Sequence, residues 1–188
     1  MTDSNTQTQQ QYHLPGDREP KQNIERILRV DHAGEHGASR IYDGQLAILR
    51  NHPIAPIIRR MAEAEQKHLD KFNDLLLERR IRPTALSPFW HVAGFALGAG
   101  SALLGPRAAM ACTVAVEEVI EEHYTNQAQK LGDDEKELRQ TLIEFGSEES
   151  EHKATAVAYE AEKAPCYKTL SSAIKRGTRL AIWLSERV

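Results

Sequence analysis

Glu-x-x-His occurs twice in this chain, as Glu65 and His68 in "EAEQKH" and as Glu149 and His152 in "SEESEH", and each time it sits within the apolar stripe of a long helix. That placement constrains the fold more than any other feature. From residue 21 onward apolar positions recur at three and four residues with no sustained alternation, and the spacing predicts helices over about 22–50, 55–82, 107–131 and 134–163. Pro53, Pro83 and Pro165 close three of them, and Gly105-Pro106 opens the other. The first stripe runs Ile24, Leu28, Asp31, Glu35, Ala38, Tyr42, Leu49, and the second Ile58, Met61, Glu65, His68, Phe72, Leu75. The third gives Met110, Val114, Glu117, Glu121, Tyr124, Ala128, Leu131, and the last Leu138, Leu142, Phe145, Glu149, His152, Ala156, Tyr159. Every helix therefore carries a carboxylate in the seam that faces the others.

Carboxylates converging on a core need cations, because burying an ionised carboxylate alone costs roughly several kcal/mol. No Lys or Arg lies on these stripes near the glutamates, so two divalent metals are the expected counter-charge. One Glu from each of two helices plus Glu-x-x-His from each of the other two is the ligand set of carboxylate-bridged di-iron bundles, a set on record for that class of protein. The candidate ligands are Glu35, Glu65, His68, Glu117, Glu149 and His152. Imidazole with carboxylate suits iron, with manganese as the other choice. The order repeats: Glu35 precedes Glu65 by 30 residues and Glu117 precedes Glu149 by 32, the trace that two copies of one helix pair would leave. A single Glu-x-x-His on a Glu-rich helix is ordinary surface, and Glu63, Glu118, Glu122, Glu148 and Glu151 are read as solvated. Glu117 is preferred to Glu118 because Tyr124 and Leu131 continue its line.

Short turns within each helix pair and a long connection between the pairs, 83–106, give an all-α, ferritin-like four-helix bundle. Its crossover carries an apolar helix over 89–105, and an additional C-terminal helix fills 168–186. The 188 residues make one domain, 21–188, after a polar tail, 1–20, expected to be disordered and lacking the basic start and apolar run of a signal peptide. The protein is expected to stay in the cytosol of its cell.

A net charge of −3 gives no basic surplus, so nucleic acid is not an expected partner. Cys112 and Cys166 show no metal spacing and are expected as free thiols. "GAGSALLG" (98–105) contains Gly-x-Gly, but no strand precedes it and its third glycine is misplaced, so it is no dinucleotide loop. His13, His32, His52 and His91 stand isolated and are read as surface or packing residues.

The same residues carry a family resemblance. "RVDHAGEHGASRIYDGQLAIL" (29–49), "EAEQKHLDKF" (63–72), "AVEEVIEEHYTNQ" (115–127), "EESEHKATA" (148–156) and "AIWLSERV" (181–188) resemble the demethoxyubiquinone hydroxylases, the di-iron monooxygenases of ubiquinone biosynthesis. The resemblance implies the same six ligands, two iron ions, dioxygen as co-substrate, and hydroxylation of a polyprenylated methoxy-methyl-benzoquinol at its unsubstituted ring carbon. It implies that His123 and Tyr124 relay electrons or protons toward the metals, although Tyr124 suits a plain core position equally. Asp31, one turn before Glu35, is the candidate to orient a ligating imidazole. Electrons come from elsewhere or from NADH bound without a Rossmann fold.

"FWHVAGFALGAGSALLG" (89–105) has no formally charged residue and falls short of the about 20 residues that a span takes. A buried crossover helix and partial insertion into one leaflet both fit it. In the last helix Lys175, Arg176 and Arg179 stand beside Ile174, Leu180, Ile182, Trp183 and Leu184, a composition suited to an anionic membrane surface. With a polyprenyl substrate, the two elements favour peripheral contact on the cytoplasmic face of the cell membrane, assisted by a lipid-presenting ubiquinone-biosynthesis protein. Among rival classes, a rubrerythrin-like peroxide reductase would want a CxxC iron site. A ferritin proper has no use for the apolar segment, and a non-enzymatic bundle leaves the six residues unexplained.

Overall fold

The computed structural model describes residues 20–188, so the tail expected over 1–20, apart from Pro20, and His13 lie outside the described residues. Six α-helices follow one another: α1 (Pro20–Leu49), α2 (Ala55–Glu78), α3 (Ser87–Leu103), α4 (Pro106–Ala128), α5 (Lys136–Ala158) and α6 (Tyr167–Ser185). No strand occurs among the described residues, and the architecture is the all-α, ferritin-like bundle. Contacts fix the directions. Tyr42 meets Glu117 and Tyr124 meets Glu35, so α4 runs antiparallel to α1. Gly94 lies against Gly37 and Gly98 against Ile41, so α3 runs parallel to α1 and returns the chain to the end where α4 starts.

Two helices stop earlier than Pro83 and Pro165 predict. Arg80 takes the left-handed conformation (φ 56°) and its N–H donates to Leu77 O, while Ile81 N–H donates to Leu76 O at 2.8 Å. This is a Schellman closure made without glycine, which the sequence gives no reason to expect at Arg80. Arg79 then grips Glu135 with two bonds of 2.7 Å, tying that end to the turn before α5. At the end of α5, Glu160 is likewise left-handed (φ 64°), and Arg107 and Lys163 hold its carboxylate.

The crossover helix is neither fully buried nor free. Gly94, Gly98, Ser101 and Ala102 face inward, and α1 and α3 approach backbone to backbone. A Cβ at Gly98 would lie 1.9 Å from the carbonyl oxygen of Ile41, and one at Gly44 2.2 Å from that of Phe95. The opposite face leaves Phe89, Val92, Leu103 and Leu104 exposed. No helix among the described residues is long and apolar enough to cross a membrane. Helix α6 lies along α4, where Lys175 pairs with Glu118 and Arg179 with Glu122, so two of its four cations are engaged within the protein.

Apolar clusters fill both ends of the bundle. Leu28, Phe72, Ile120, Leu138 and Leu142 belong to one, and Leu49, Ile58, Met110, Val114 and Ala156 to the other. On α2 and α5 the polar residues Glu65, His68, Glu149 and His152 occupy the layer between them. The packing thus encloses a polar layer from above and below, where water cannot solvate it.

Candidate metal centre

All six residues singled out on the stripes meet in that layer. Ligand atoms of Glu35, Glu65, His68 and Glu149 lie within 4.8 Å of one another, and so do those of Glu65, Glu117, Glu149 and His152. Glu65 and Glu149 belong to both groups. Such an overlap could hold two adjacent cations. Glu35, Glu65 and Glu149 are fully buried, with Glu117 and His68 nearly so and His152 at the rim. Four carboxylates bring four negative charges, and two divalent cations match them.

The polar atoms approach one another, but only His152 Nδ1 and Glu149 Oε2, 3.3 Å apart, form a hydrogen bond among them. His152 Nδ1 is 3.0 Å from Glu65 Oε1, and His68 Nδ1 is 3.1 Å from Glu149 Oε1 and 3.5 Å from Glu35 Oε2. Yet both oxygens of Glu65, Glu35 Oε2, Glu117 Oε2, Glu149 Oε1 and His68 Nδ1 form no hydrogen bond. Lone pairs aimed at common points rather than at donors fit metal ions, since buried polar groups otherwise find partners. Electrostatics agree. Burial, then the charge of Glu149, raises the pKa of Glu65 and of Glu117 well above the carboxylate range. Burial also raises Glu35. Against the pull of burial, Glu149 and Glu35 push His68 up to about 11, and His152 and His68 draw Glu149 down to about 2. Without cations the layer is neutralised by protons.

Two tyrosines brace the terminal carboxylates reciprocally. Tyr124 on α4 donates to Glu35 Oε1 on α1, and Tyr42 on α1 donates to Glu117 Oε1 on α4 at 2.6 Å. Tyr42 stands on its stripe, but the sequence reading gave it no role beyond the core; its place seven residues after Glu35, as Tyr124 stands seven after Glu117, is the signal that marks it. Glu148 was missed too. Half exposed, as a solvated residue would be, it still places Oε2 3.0 Å from His68 Nε2. That bond leaves His68 Nδ1 toward the carboxylates.

Asp31 does not orient a ligating imidazole. Its Oδ1 accepts from Gln127 at 2.8 Å and lies 3.5 Å from Nε2 of His123, which is outside the cluster. His32 bonds Asn73, His52 accepts from the Ile54 N–H, and His91 stacks on His36; none joins the cluster. Asp31, His123 and Tyr124 instead line one wall of a cavity of about 260 Å³ between α1, α3, α4 and α6. Its other walls are largely apolar or bare, including Gly34, Ala38, Trp90, Leu97, Val116 and Ile182. Through Tyr124 the cavity adjoins the carboxylate layer.

Comparison with known proteins places this geometry in a family. The family model described as ubiquinone biosynthesis protein COQ7 matches residues 22–185. The Rhodospirillum rubrum protein named 3-demethoxyubiquinol 3-hydroxylase is 56% identical over 176 residues, 93% of this chain and 83% of that one. The human protein named NADPH-dependent 3-demethoxyubiquinone 3-hydroxylase, mitochondrial, is 52% identical over 169 residues, 88% of this chain and 78% of its own. The Saccharomyces cerevisiae 5-demethoxyubiquinone hydroxylase, mitochondrial, is 39% identical over 182 residues, with 88% and 78% covered. The helix order, the doubled Glu-x-x-His layer and these relationships agree, and the chain belongs to the COQ7 family of ubiquinone biosynthesis proteins.

Proposed function

We propose that the chain is a di-iron monooxygenase hydroxylating 2-polyprenyl-3-methyl-6-methoxy-1,4-benzoquinol (demethoxyubiquinol) at its unsubstituted ring carbon, with dioxygen as co-substrate. The observation that carries this is the pair of overlapping four-residue groups beside an apolar cavity that reaches them through Tyr124. Glu35 and His68 would hold one iron, Glu117 and His152 the other, and Glu65 and Glu149 both. When bound, two ferrous ions supply electrons for dioxygen reduction that no side chain supplies. The electrons are replenished from a reduced nicotinamide, NADH or NADPH, the second being the one in the human relative's name.

The remaining tasks fall to side chains. Glu148 accepts the Nε2 hydrogen of His68, which fixes the tautomer whose Nδ1 lone pair faces the carboxylates. Tyr42 and Tyr124 each hold one oxygen of a terminal carboxylate and leave the other free for a metal. The apolar walls exclude water from a bound ring. Asp31 Oδ2, buried and without a protein partner, is available to accept a hydrogen from a quinol hydroxyl. His123 and Tyr124 line the cavity and Tyr124 also bonds Glu35, which supports the two as the groups that pass protons or electrons between a bound ring and the metals.

The prenyl tail belongs in lipid. The exposed apolar side chains Phe89, Val92 and Leu103 on α3 and Leu104 just after it, with Leu180 and Trp183 on α6, support peripheral contact with the cytoplasmic face of the cell membrane. A lipid-presenting protein of the same biosynthesis would be received on that surface. The test is anaerobic ferrous loading followed by turnover with demethoxyubiquinol in liposomes, reduced nicotinamide and 18O-labelled dioxygen. About two irons per chain and one labelled ring hydroxyl are expected. A chain that holds a single tight zinc and yields no labelled quinol would overturn the reading.

A further inference from the structure

Gln127 is buried on α4 and takes no part in the carboxylate layer. Its side-chain nitrogen lies 2.8 Å from Asp31 Oδ1 and 2.8 Å from His123 Nε2. An amide NH2 carries two hydrogens and no lone pair for acceptance, so one nitrogen serving both neighbours must donate to both. His123 Nε2 is then an acceptor, and the ring's proton sits on Nδ1. Both residues held this way line the cavity, while Gln127 stands behind them.

The bundle's own repeat supplies a comparison. Gln127 stands ten residues after Glu117, and Gln45 stands ten after Glu35. Gln45 is also fully buried and reaches across to the other half, donating to Ala109 O at 3.1 Å and approaching Thr113 Oγ1 at 3.4 Å. Thr113 precedes Glu117 by four residues as Asp31 precedes Glu35, and Ile41 follows Glu35 by six as His123 follows Glu117. One half thus sets its amide against a backbone carbonyl and a hydroxyl, with the aliphatic Ile41 at the position of His123. The other sets it against a carboxylate and an imidazole that border the cavity. The amide is a shared packing device, and its ionisable neighbours occur only on the cavity side.

We propose that Gln127 is a positioning residue: it fixes His123 as the tautomer protonated on Nδ1 and, through its second hydrogen, holds Asp31 in the cavity wall. The assignment of the cavity to the substrate rests on the function proposed above; the tautomer does not. The full chain, metal-free and therefore diamagnetic, is labelled with 15N-histidine, and His123 is identified by the resonances that His123→Gln removes. In the wild type Nδ1 should carry the proton. Gln127→Leu should shift the population toward the Nε2-protonated form, and Gln127→Glu, which offers an acceptor, should complete that shift. With metals and quinol supplied, Gln127→Leu should lower kcat, with iron content unchanged. A wild-type His123 protonated on Nε2, or ring shifts that neither variant moves, overturns the proposal. Unchanged kcat with a reversed tautomer would leave Gln127 as the group that sets the ring but would refute the part given to the ring in hydroxylation. A wild type that binds no quinol refutes the cavity reading alone.

Discussion

Removing the metals should make the folding stability of this chain fall between about pH 7 and 8, whereas the loaded chain should show no such fall. In the folded, metal-free protein burial and then the charge of Glu149 raise Glu65 and Glu117, and burial raises Glu35. His68, lowered by burial but raised more by Glu149 and Glu35, reaches about 11. An unfolded chain has ordinary values, near 4.5 for these carboxyls and 6.5 for the imidazole. At neutral pH the folded state therefore binds more protons than the unfolded one, and stability declines as pH rises. The stabilisation from His68 is whole below about 6.5 and is lost progressively toward about 11.

Each retained proton gives a slope of about 1.4 kcal/mol per pH unit. His68 alone predicts an unfolding free energy about 1 kcal/mol lower at pH 8 than at pH 7, and every glutamate still protonated adds to it. Opposing groups act elsewhere. Burial lowers His32 and His36, which steepens stability in the other direction only below about 6.5. Glu149, at about 2, contributes a loss only as pH falls below 4.5, and Cys112, pushed by burial to about 12, enters only above 9. Urea unfolding at three values between about pH 7 and 8, on chelated and anaerobically ferrous-loaded protein, measures the slope directly. Loading in weak buffer should release the same protons. A flat profile for the chelated chain, or equal slopes with and without metal, would refute the account of the layer as proton-neutralised.

Other expectations are narrower. Glu149→Ala removes a residue shared by both groups and should abolish metal loading, while Glu148→Ala should lower metal affinity by roughly 10–100-fold through His68; equal behaviour of the two in a metal titration would contradict this. A Cβ at Gly34 meets nothing within 4 Å, so Gly34→Ala should raise stability by up to about 1 kcal/mol while narrowing the cavity. Gly98→Ala, driven into the Ile41 carbonyl, should destabilise the α1–α3 contact, and thermal melts that rank the two variants the other way would count against that packing. Glu in place of the exposed Val92 or Leu103 should release the protein from liposomes with iron content intact. Leu97 lines the cavity instead of this face, and loss of iron in the Val92 variant would show the face to be structural.

The carboxylate–histidine layer was legible because its residues violate the apolar seam they occupy, and a buried violation needs a chemical reason. Helix order, the crossover and the six converging residues all followed from stripes and prolines. The ends of α2 and α5 did not, since Arg80 and Glu160 close them in a left-handed conformation that composition gives no hint of. Proline marks where a helix cannot continue; it does not mark where a tertiary grip ends it sooner. Glu148 escaped for a related reason: an exposed residue can still bond a buried one, and helical periodicity sees only the exposure. The crossover helix was ambiguous in sequence because its small residues bury one face by backbone contact, which a hydrophobic stripe does not encode.

The repeat of two helix pairs explains why the two ends of the layer are built alike, and its breaks indicate which end is used. Tyr42 and Tyr124, and Gln45 and Gln127, are equivalent pairs, each crossing to the opposite half. At equivalent positions the symmetry fails: Ala64 corresponds to Glu148, Met61 to Phe145, Thr113 to Asp31 and Ile41 to His123. The departures gather around Glu35 and His68. His68 alone receives the outer carboxylate of Glu148 and stacks on Phe145 at 4.0 Å, and Asp31 and His123 face the cavity through which Tyr124 reaches Glu35. A bundle that only stored metal would have no physical reason to fix one imidazole and polarise one wall while leaving the equivalent residues uncharged. A site that must receive a ring from a single side would, and under the proposed function the metal that Glu35 and His68 would hold is the one such a ring would approach.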